Sequence, residues 1–325
     1  MTIKQLSECS VLVTPTSFAK YDKSFKNELE NIVGNVEYNV TGKPLKEKDL
    51  ISIIERFDGM IAGLDEITAK VIEAGKNLKV IARYGAGVDR LDLVAARKAG
   101  IVVTNTPGAN SVSVAELAIA LTLAALRNVI TGNNKTKTGE WPRLSGASLS
   151  GKTFGIIGLG NIGKEVALRI YGFNTKILAY DLNQDTDFAS KYKIQYVSLD
   201  TLLSNSDIVS LHIPVFPETR FIINSSTLLK MKKDSILVNT SRGELVDENA
   251  LYDSLISGHL KAAALDAFIQ EPPTGSRLLT LERVIATPHM GAATDNASNE
   301  MTRITVADCI SVLKGEKPGY PVFEP

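Results

Sequence analysis

The sequence predicts an α/β protein of two domains, each built on a parallel sheet, and three observations carry that reading. Short β-branched runs alternate with helix-like segments along nearly the whole chain, the pattern of parallel strands joined by covering helices. The alternation comes in two series, separated by one long apolar segment and a polar stretch. A chain of 325 residues, 44% apolar and with 24 glycines, is also long enough for two packed cores. Taken in order, the first series reads SVLVTP, NVEYNV, GMIAG, LKVIARYG and GIVVTNTP. SVSVAELAIALTLAALRNV follows, with serines placed to cap its start and apolar residues on most faces, and predicts a buried helix able to join two domains. TGNNKTKTGEWPRLSGASLSGK is polar and rich in Gly and Ser, and predicts a surface loop. The second series runs KTFGIIGLG, KILAYD, IQYVSL, DIVSLHIP, SILVNTSRG, LKAAALDAF and ERVIATPH.

Charge and cysteine content exclude several classes. Lys plus Arg equals Asp plus Glu at 36 each, so no overall field gathers polyphosphate or anionic lipid, and neither nucleic acid nor membrane is an expected partner. Cys9 and Cys309 lie at opposite ends without metal-ligand spacing; no metal is expected, and the pattern fits a reducing compartment. The N-terminus lacks an apolar run of signal-peptide length, and the longest apolar stretch, 114 to 126, is short and contains Glu116. A soluble cytoplasmic protein is expected.

The strongest local signal is TFGIIGLGNIGKEVALRI, a strand followed by Gly158, Gly160 and Gly163 in G-x-G-x-x-G spacing and then a helical run. The first glycine permits the tight turn, the second lets backbone approach a pyrophosphate, and the third lets helix pack on strand. The helix N-terminus offers free N–H groups to the phosphates. The next strand, KILAYD, ends in Asp181 at close to the spacing expected of a carboxylate that accepts the ribose hydroxyls of NAD and repels the 2′-phosphate of NADP. No arginine follows at once in DLNQD, so NAD is favoured. Three segments of the second series then put an ionisable residue at a strand end, where open α/β sheets place their ligands: VNTSRGELVDENAL with Arg242, LDAFIQEPP with Glu271 and ATPHMGAAT with His289. Singly each has an ordinary reading, as surface ion pair, solvated carboxylate or turn residue. Together they supply an anion binder, a base-orienting carboxylate and a proton carrier.

Across RYGAGVDRLDL, NTPGANSVSVAELAIALTLAALR, SGKTFGIIGLGNIGKEVA, NTSRGELVDENAL, AALDAF, EPP and TPHMGAAT, the chain resembles the D-isomer-specific 2-hydroxyacid dehydrogenases, in the branch of D-3-phosphoglycerate dehydrogenase and hydroxypyruvate reductase. The resemblance implies a Rossmann-type NAD domain, 105–288, inserted into a flavodoxin-like substrate domain made of 1–104 plus 289–325, with His289 at the crossing. It places the family's catalytic arginine, glutamate and histidine on Arg242, Glu271 and His289. Cofactor contacts fall on Asn161, Ile162, Asp181, Ile213, Thr240, Asp266 and Gly291, beside the three loop glycines. It implies that Arg242 holds the carboxylate and carbonyl oxygen of a 2-oxo acid, aided by the backbone of Gly85, Ala86 and Gly87. His289 acts as general acid/base, oriented by Glu271. Relatives usually dimerise through the helix around 111 to 127, so a homodimer is expected.

The substrate stays open among hydroxypyruvate, glyoxylate, a pyruvate-like acid and 3-phosphohydroxypyruvate. Arg83 matches a phosphate-binding position of the family, but a second basic residue is missing where Gly63-Leu64-Asp65-Glu66 stands. Those two carboxylates are expected to disfavour a dianionic phosphate, as does a chain ending at Pro325. An NAD-binding regulator without turnover and a phosphite dehydrogenase are the alternatives. Formate is disfavoured by Glu271, where the formate enzymes carry glutamine. His212 is expected beside the cofactor without a catalytic role, His259 at a helix end, and Trp141 at the active-site mouth or as a loop anchor.

Overall fold

A computed structural model describes residues 4–323. The chain forms two compact units: one takes the chain through Asn110 together with the segment from Ala292 onward, the other is Ser111–Gly291. The crossings thus fall at 110/111 and 291/292 rather than at the expected 104/105 and 288/289, and His289 lies in the second unit instead of with the C-terminal segment.

The first unit holds β1 (Ser10–Val13), β2 (Asn35–Tyr38), β3 (Gly59–Ala62), β4 (Val80–Arg83) and β5 (Val102–Thr104), all parallel in the order β2-β1-β3-β4-β5. Each of the five strand-like runs of the first series becomes one of these strands. The inner strands β1, β3 and β4 are covered on both faces, which is why they read as near-continuous apolar runs, whereas the edge strand β2 is NVEY with no buried residue. Alternation at period two divides β1 between two cores: Val11 and Val13 join Ile61, Val80 and Met301 on one side, whereas Leu12 joins Met60, Ile81 and Phe57 on the other. The helix Asp295–Leu313, capped by the Thr294 hydroxyl, packs on β3 and β4.

The second unit has seven parallel strands: β6 (Thr153–Ile157), β7 (Lys176–Tyr180), β8 (Ile194–Tyr196), β9 (Ile208–Leu211), β10 (Ile236–Asn239), β11 (Ala262–Leu265) and β12 (Val284–Ala286). Their order, β12-β11-β10-β9-β6-β7-β8, reverses direction between β9 and β6. Helices on the two sides of a reversal leave a crevice at the strands' carboxyl ends. The helix Ser111–Arg127 is buried along most of its length and packs on the sheet and on the helix Asn161–Tyr171.

One element was misread from sequence. The polar stretch beginning at Thr131 is not loop throughout: Val129–Lys137 is helical. Asn128 adopts a left-handed φ of 54° that ends the preceding helix and re-aims the chain, a conformation asparagine tolerates better than most residues. No single helix among the described residues is long and apolar enough to cross a membrane; only Ser111–Arg127 with Val129–Lys137, bent by 64°, passes as a pair.

Candidate active site

The glycine loop lies at the reversal of the second sheet. Gly158 follows β6 directly and takes φ 94°. A Cβ there would sit 2.5 Å from Ile213 Cγ2 and 2.6 Å from the His212 carbonyl oxygen, so the chain leaving β9 requires glycine at this point. A Cβ on Gly163 would overlap the Gly158 carbonyl, whereas one on Gly160 would meet nothing within 4 Å. The space over Gly160 is therefore open, at the N-terminus of the helix Asn161–Tyr171, as a pyrophosphate cradle requires. Asp181, just beyond β7, accepts the Leu159 N–H at 2.7 Å and the Asn183 N–H at 2.8 Å. Each carboxylate oxygen keeps a further lone-pair direction for a ribose hydroxyl. Thr240 Oγ1, at the end of β10, is buried without a hydrogen-bond partner. An open loop, a carboxylate at the second strand end and an unpartnered hydroxyl fit an NAD molecule.

At the neighbouring strand ends of the same unit, His289 Nδ1 lies 2.8 Å from Glu271 Oε1, with both side chains partly buried. A carboxylate only accepts, so Nδ1 carries the hydrogen and Nε2 is left for another partner. The Phe268 N–H also donates to Glu271 Oε1, at 3.3 Å. His289 takes φ 51°, left-handed backbone that costs a non-glycine residue of order 1 kcal/mol or more. Asp266, just beyond β11, sustains it. Its Oδ1 accepts the Thr287 hydroxyl at 2.6 Å and the Met290 N–H at 2.9 Å, and its Oδ2 accepts the Gly291 N–H at 2.8 Å. This carboxylate staples the loop on both sides of His289, a duty that the sequence did not disclose. Arg242 follows β10 and is half-buried. Its carbonyl accepts from Asn239 Nδ2 at 2.8 Å, and its guanidinium donates to the Ser241 carbonyl at 2.9 Å.

In the first unit, Gly85, Ala86 and Gly87 follow β4, and Gly85 takes φ 139°. Arg83 is 9% exposed. Its guanidinium is folded back onto the chain, donating to the Tyr84 carbonyl and, at 3.4 Å, to the Ala62 carbonyl. Asp65 is buried and satisfied by the Thr14 hydroxyl, the Gly63 N–H at 2.8 Å and the Leu45 N–H at 2.7 Å. It organises its own loop, and only Glu66 of the expected acidic pair is exposed.

The other histidines are accounted for by their contacts. His212 bonds Ser210 Oγ through Nε2 at 2.8 Å while Nδ1 is buried without a partner, and burial pushes its pKa down to about 3. A ring that stays neutral at pH 7 cannot deliver a proton as imidazolium. His259 Nε2 lies 3.0 Å from the Leu228 and Met231 carbonyls and so closes the end of the helix Ser225–Lys230. Trp141 is 86% exposed and anchors no loop in this chain. Among the described residues no group of His, Cys, Asp and Glu side chains could hold a metal ion.

Residues 119–291 match the family model of the D-isomer specific 2-hydroxyacid dehydrogenase, NAD binding domain. The hydroxypyruvate reductase of Thermotoga maritima is 45% identical over 283 residues, 85% of this chain and 91% of that protein. The D-3-phosphoglycerate dehydrogenase of Methanocaldococcus jannaschii is 42% identical over 87% of this chain, which spans 54% of that longer protein. The crystal structure of the TT0316 protein from Thermus thermophilus superposes with a TM-score of 0.86 at 36% identity, covering 97% of this chain and 100% of that one.

Proposed function

The chain belongs to the D-isomer specific 2-hydroxyacid dehydrogenase family and is an NAD-dependent oxidoreductase acting on CH–OH groups, and on that premise we propose that it interconverts a small 2-oxo acid and its 2-hydroxy acid with His289 as proton carrier. The observation that carries this reading is the 2.8 Å contact between His289 Nδ1 and Glu271 Oε1. NAD, when bound, exchanges the hydride. In the reducing direction His289 donates the Nε2 proton to the carbonyl oxygen as negative charge grows there, and in the oxidising direction it takes the proton back. Glu271 holds the Nδ1–H, which fixes the tautomer and ring orientation. Arg242 binds the carboxylate and carbonyl oxygen through charge-assisted hydrogen bonds. Gly158, Gly160, Asn161, Ile162 and Gly163 form the pyrophosphate cradle. Asp181 selects the unphosphorylated ribose, and Ile213, Thr240, Asp266 and Gly291 line the nicotinamide end.

We place hydroxypyruvate, glyoxylate and pyruvate-like acids ahead of 3-phosphohydroxypyruvate as substrates, because Arg83 is folded onto backbone carbonyls and no basic residue stands in Gly63-Leu64-Asp65-Glu66. A homodimer formed through the second unit fits the exposed Val112, Val129, Ile130 and Leu144 on and after the helix Ser111–Arg127. A cytoplasmic location fits two buried free thiols, Cys9 and Cys309, both raised in pKa by burial.

The test is loss of NADH absorbance on mixing the protein with glyoxylate, hydroxypyruvate, pyruvate and 3-phosphohydroxypyruvate, with NADPH as comparison and phosphite plus NAD as the reverse assay. Turnover of at least one unphosphorylated acid, faster with NADH than NADPH, is expected. NADH binding without turnover of any acid contradicts the reading and favours a regulator.

A further inference from the structure

The loop after β4 is held from one side. The Thr106 N–H donates to the Gly85 carbonyl at 3.2 Å, and Asn105 Nδ2 donates to the Ala86 carbonyl at 2.7 Å. Because the acceptor is a carbonyl oxygen, the amide face of Asn105 is fixed as the donor. Arg83 donates to the carbonyl one residue earlier, that of Tyr84, and its guanidinium lies against Gly85, where a Cβ would come within 3.0 to 3.3 Å of it. Three consecutive carbonyls are therefore each tied to a donor. The only cis peptide bond among the described residues is elsewhere, at Glu271–Pro272, so the bonds of this loop are trans, with each N–H pointing opposite to the carbonyl of its own peptide unit. Anchoring the Gly85 and Ala86 carbonyls on residues 105 and 106 turns the N–H groups of Ala86 and Gly87 to the opposite side. Two successive N–H groups on one side form an anion-binding concavity.

We propose that Asn105 and Arg83 are positioning residues that hold this loop so that the Ala86 and Gly87 N–H groups grip one carboxylate, and that Arg83 serves the loop and not a second anionic group of the substrate. The reading rests on the 2-oxo acid activity proposed above and narrows its substrate to acids whose only anionic group is the 2-oxo carboxylate. Arg83→Met and, should that variant not fold, Arg83→Lys are compared with Asn105→Leu and Asn105→Asp. In Asn105→Asp the amide donor becomes a carboxylate facing the Ala86 carbonyl and repels it. Measured are KM and kcat for glyoxylate, NADH affinity by fluorescence, and kcat/KM for hydroxypyruvate against 3-phosphohydroxypyruvate, with inhibition constants used for an acid that is not turned over.

The Asn105 variants are expected to raise KM for glyoxylate about tenfold or more, with kcat and NADH affinity changed less than about threefold; an unchanged KM overturns the clamp. The Arg83 variants are expected to weaken the phosphorylated and unphosphorylated acids by the same factor. A loss more than about threefold larger for the phosphorylated acid overturns the assignment and makes Arg83 a phosphate ligand. Were wild-type protein to oxidise NADH with none of these acids, the activity reading would fail by itself, and the loop would be read without turnover. Glyoxylate is then titrated into protein carrying 15N-glycine and 15N-alanine: shifts at Ala86 and Gly87 that vanish in Asn105→Leu support the clamp, and no shift overturns it.

Discussion

Arg242, Glu271 and His289 could be picked from the sequence because each is an ionisable residue at a strand end in the second series. What holds His289 in place could not. Asp266 was expected only as a cofactor contact. Its three hydrogen bonds to Thr287, Met290 and Gly291 depend on two strand ends meeting in space, which linear spacing does not encode. Gly291 shows the consequence. A Cβ there would lie 3.2 Å from Asp266 Oδ2 and 3.3 Å from Val114 Cγ2, tight enough to displace the staple. Gly291→Val is expected to weaken NADH binding about tenfold or more and to lower kcat by up to about a hundredfold, since misplacing a catalytic group by about 1 Å costs that much; NADH fluorescence titration with steady-state kinetics checks both. His212 makes a different prediction. Its folded-state pKa of about 3 lies below the ordinary value of 6.5, so between these values the unfolded chain binds a proton that the folded protein does not. Stability therefore falls as pH drops from about 6.5 toward 3, by at most about 1.4 kcal/mol per pH unit from this group. Denaturant melts of His212→Asn are expected to show a shallower acid-side decline than wild type, while the pH dependence of the rate near neutrality keeps its shape.

At the scale of elements, every strand-like run of the two series corresponds to a strand in the structure: the inner strands are covered on both faces and marked by apolar content, and edge runs such as NVEYNV and IQYVSL by their β-branched and aromatic residues. The helix Val129–Lys137 was missed because its Thr, Asn and Gly residues are weak helix formers and none of its side chains is buried. Propensity pointed one way, and continuation beyond the Asn128 turn decided otherwise. This helix and its predecessor carry the exposed Val112, Val129 and Ile130. A Val129→Glu, Ile130→Glu double variant is expected to run as a monomer by light scattering where the wild type runs with twice the chain mass, with secondary structure by circular dichroism unchanged. A wild-type monomer contradicts the proposed dimer.

At the scale of the molecule, linear reading saw two consecutive α/β series. Only the resemblance implied that the tail joins the first of them, because a C-terminal helix carries no mark of which sheet it covers. In the structure Asp295–Leu313 packs on β3 and β4, while Arg242, Glu271, His289 and the glycine loop all belong to Ser111–Gly291. The unit that holds the proposed cofactor cradle thus also carries the proposed proton carrier and its proposed orienting carboxylate. Removing the proton carrier is then expected to leave the cradle intact. The most direct measurement is kcat of His289→Gln beside its NADH affinity, with glyoxylate or hydroxypyruvate as substrate. The proposed mechanism predicts a kcat lower by about 10²–10⁴-fold with NADH affinity within about threefold of wild type; a kcat equal to wild type would contradict it.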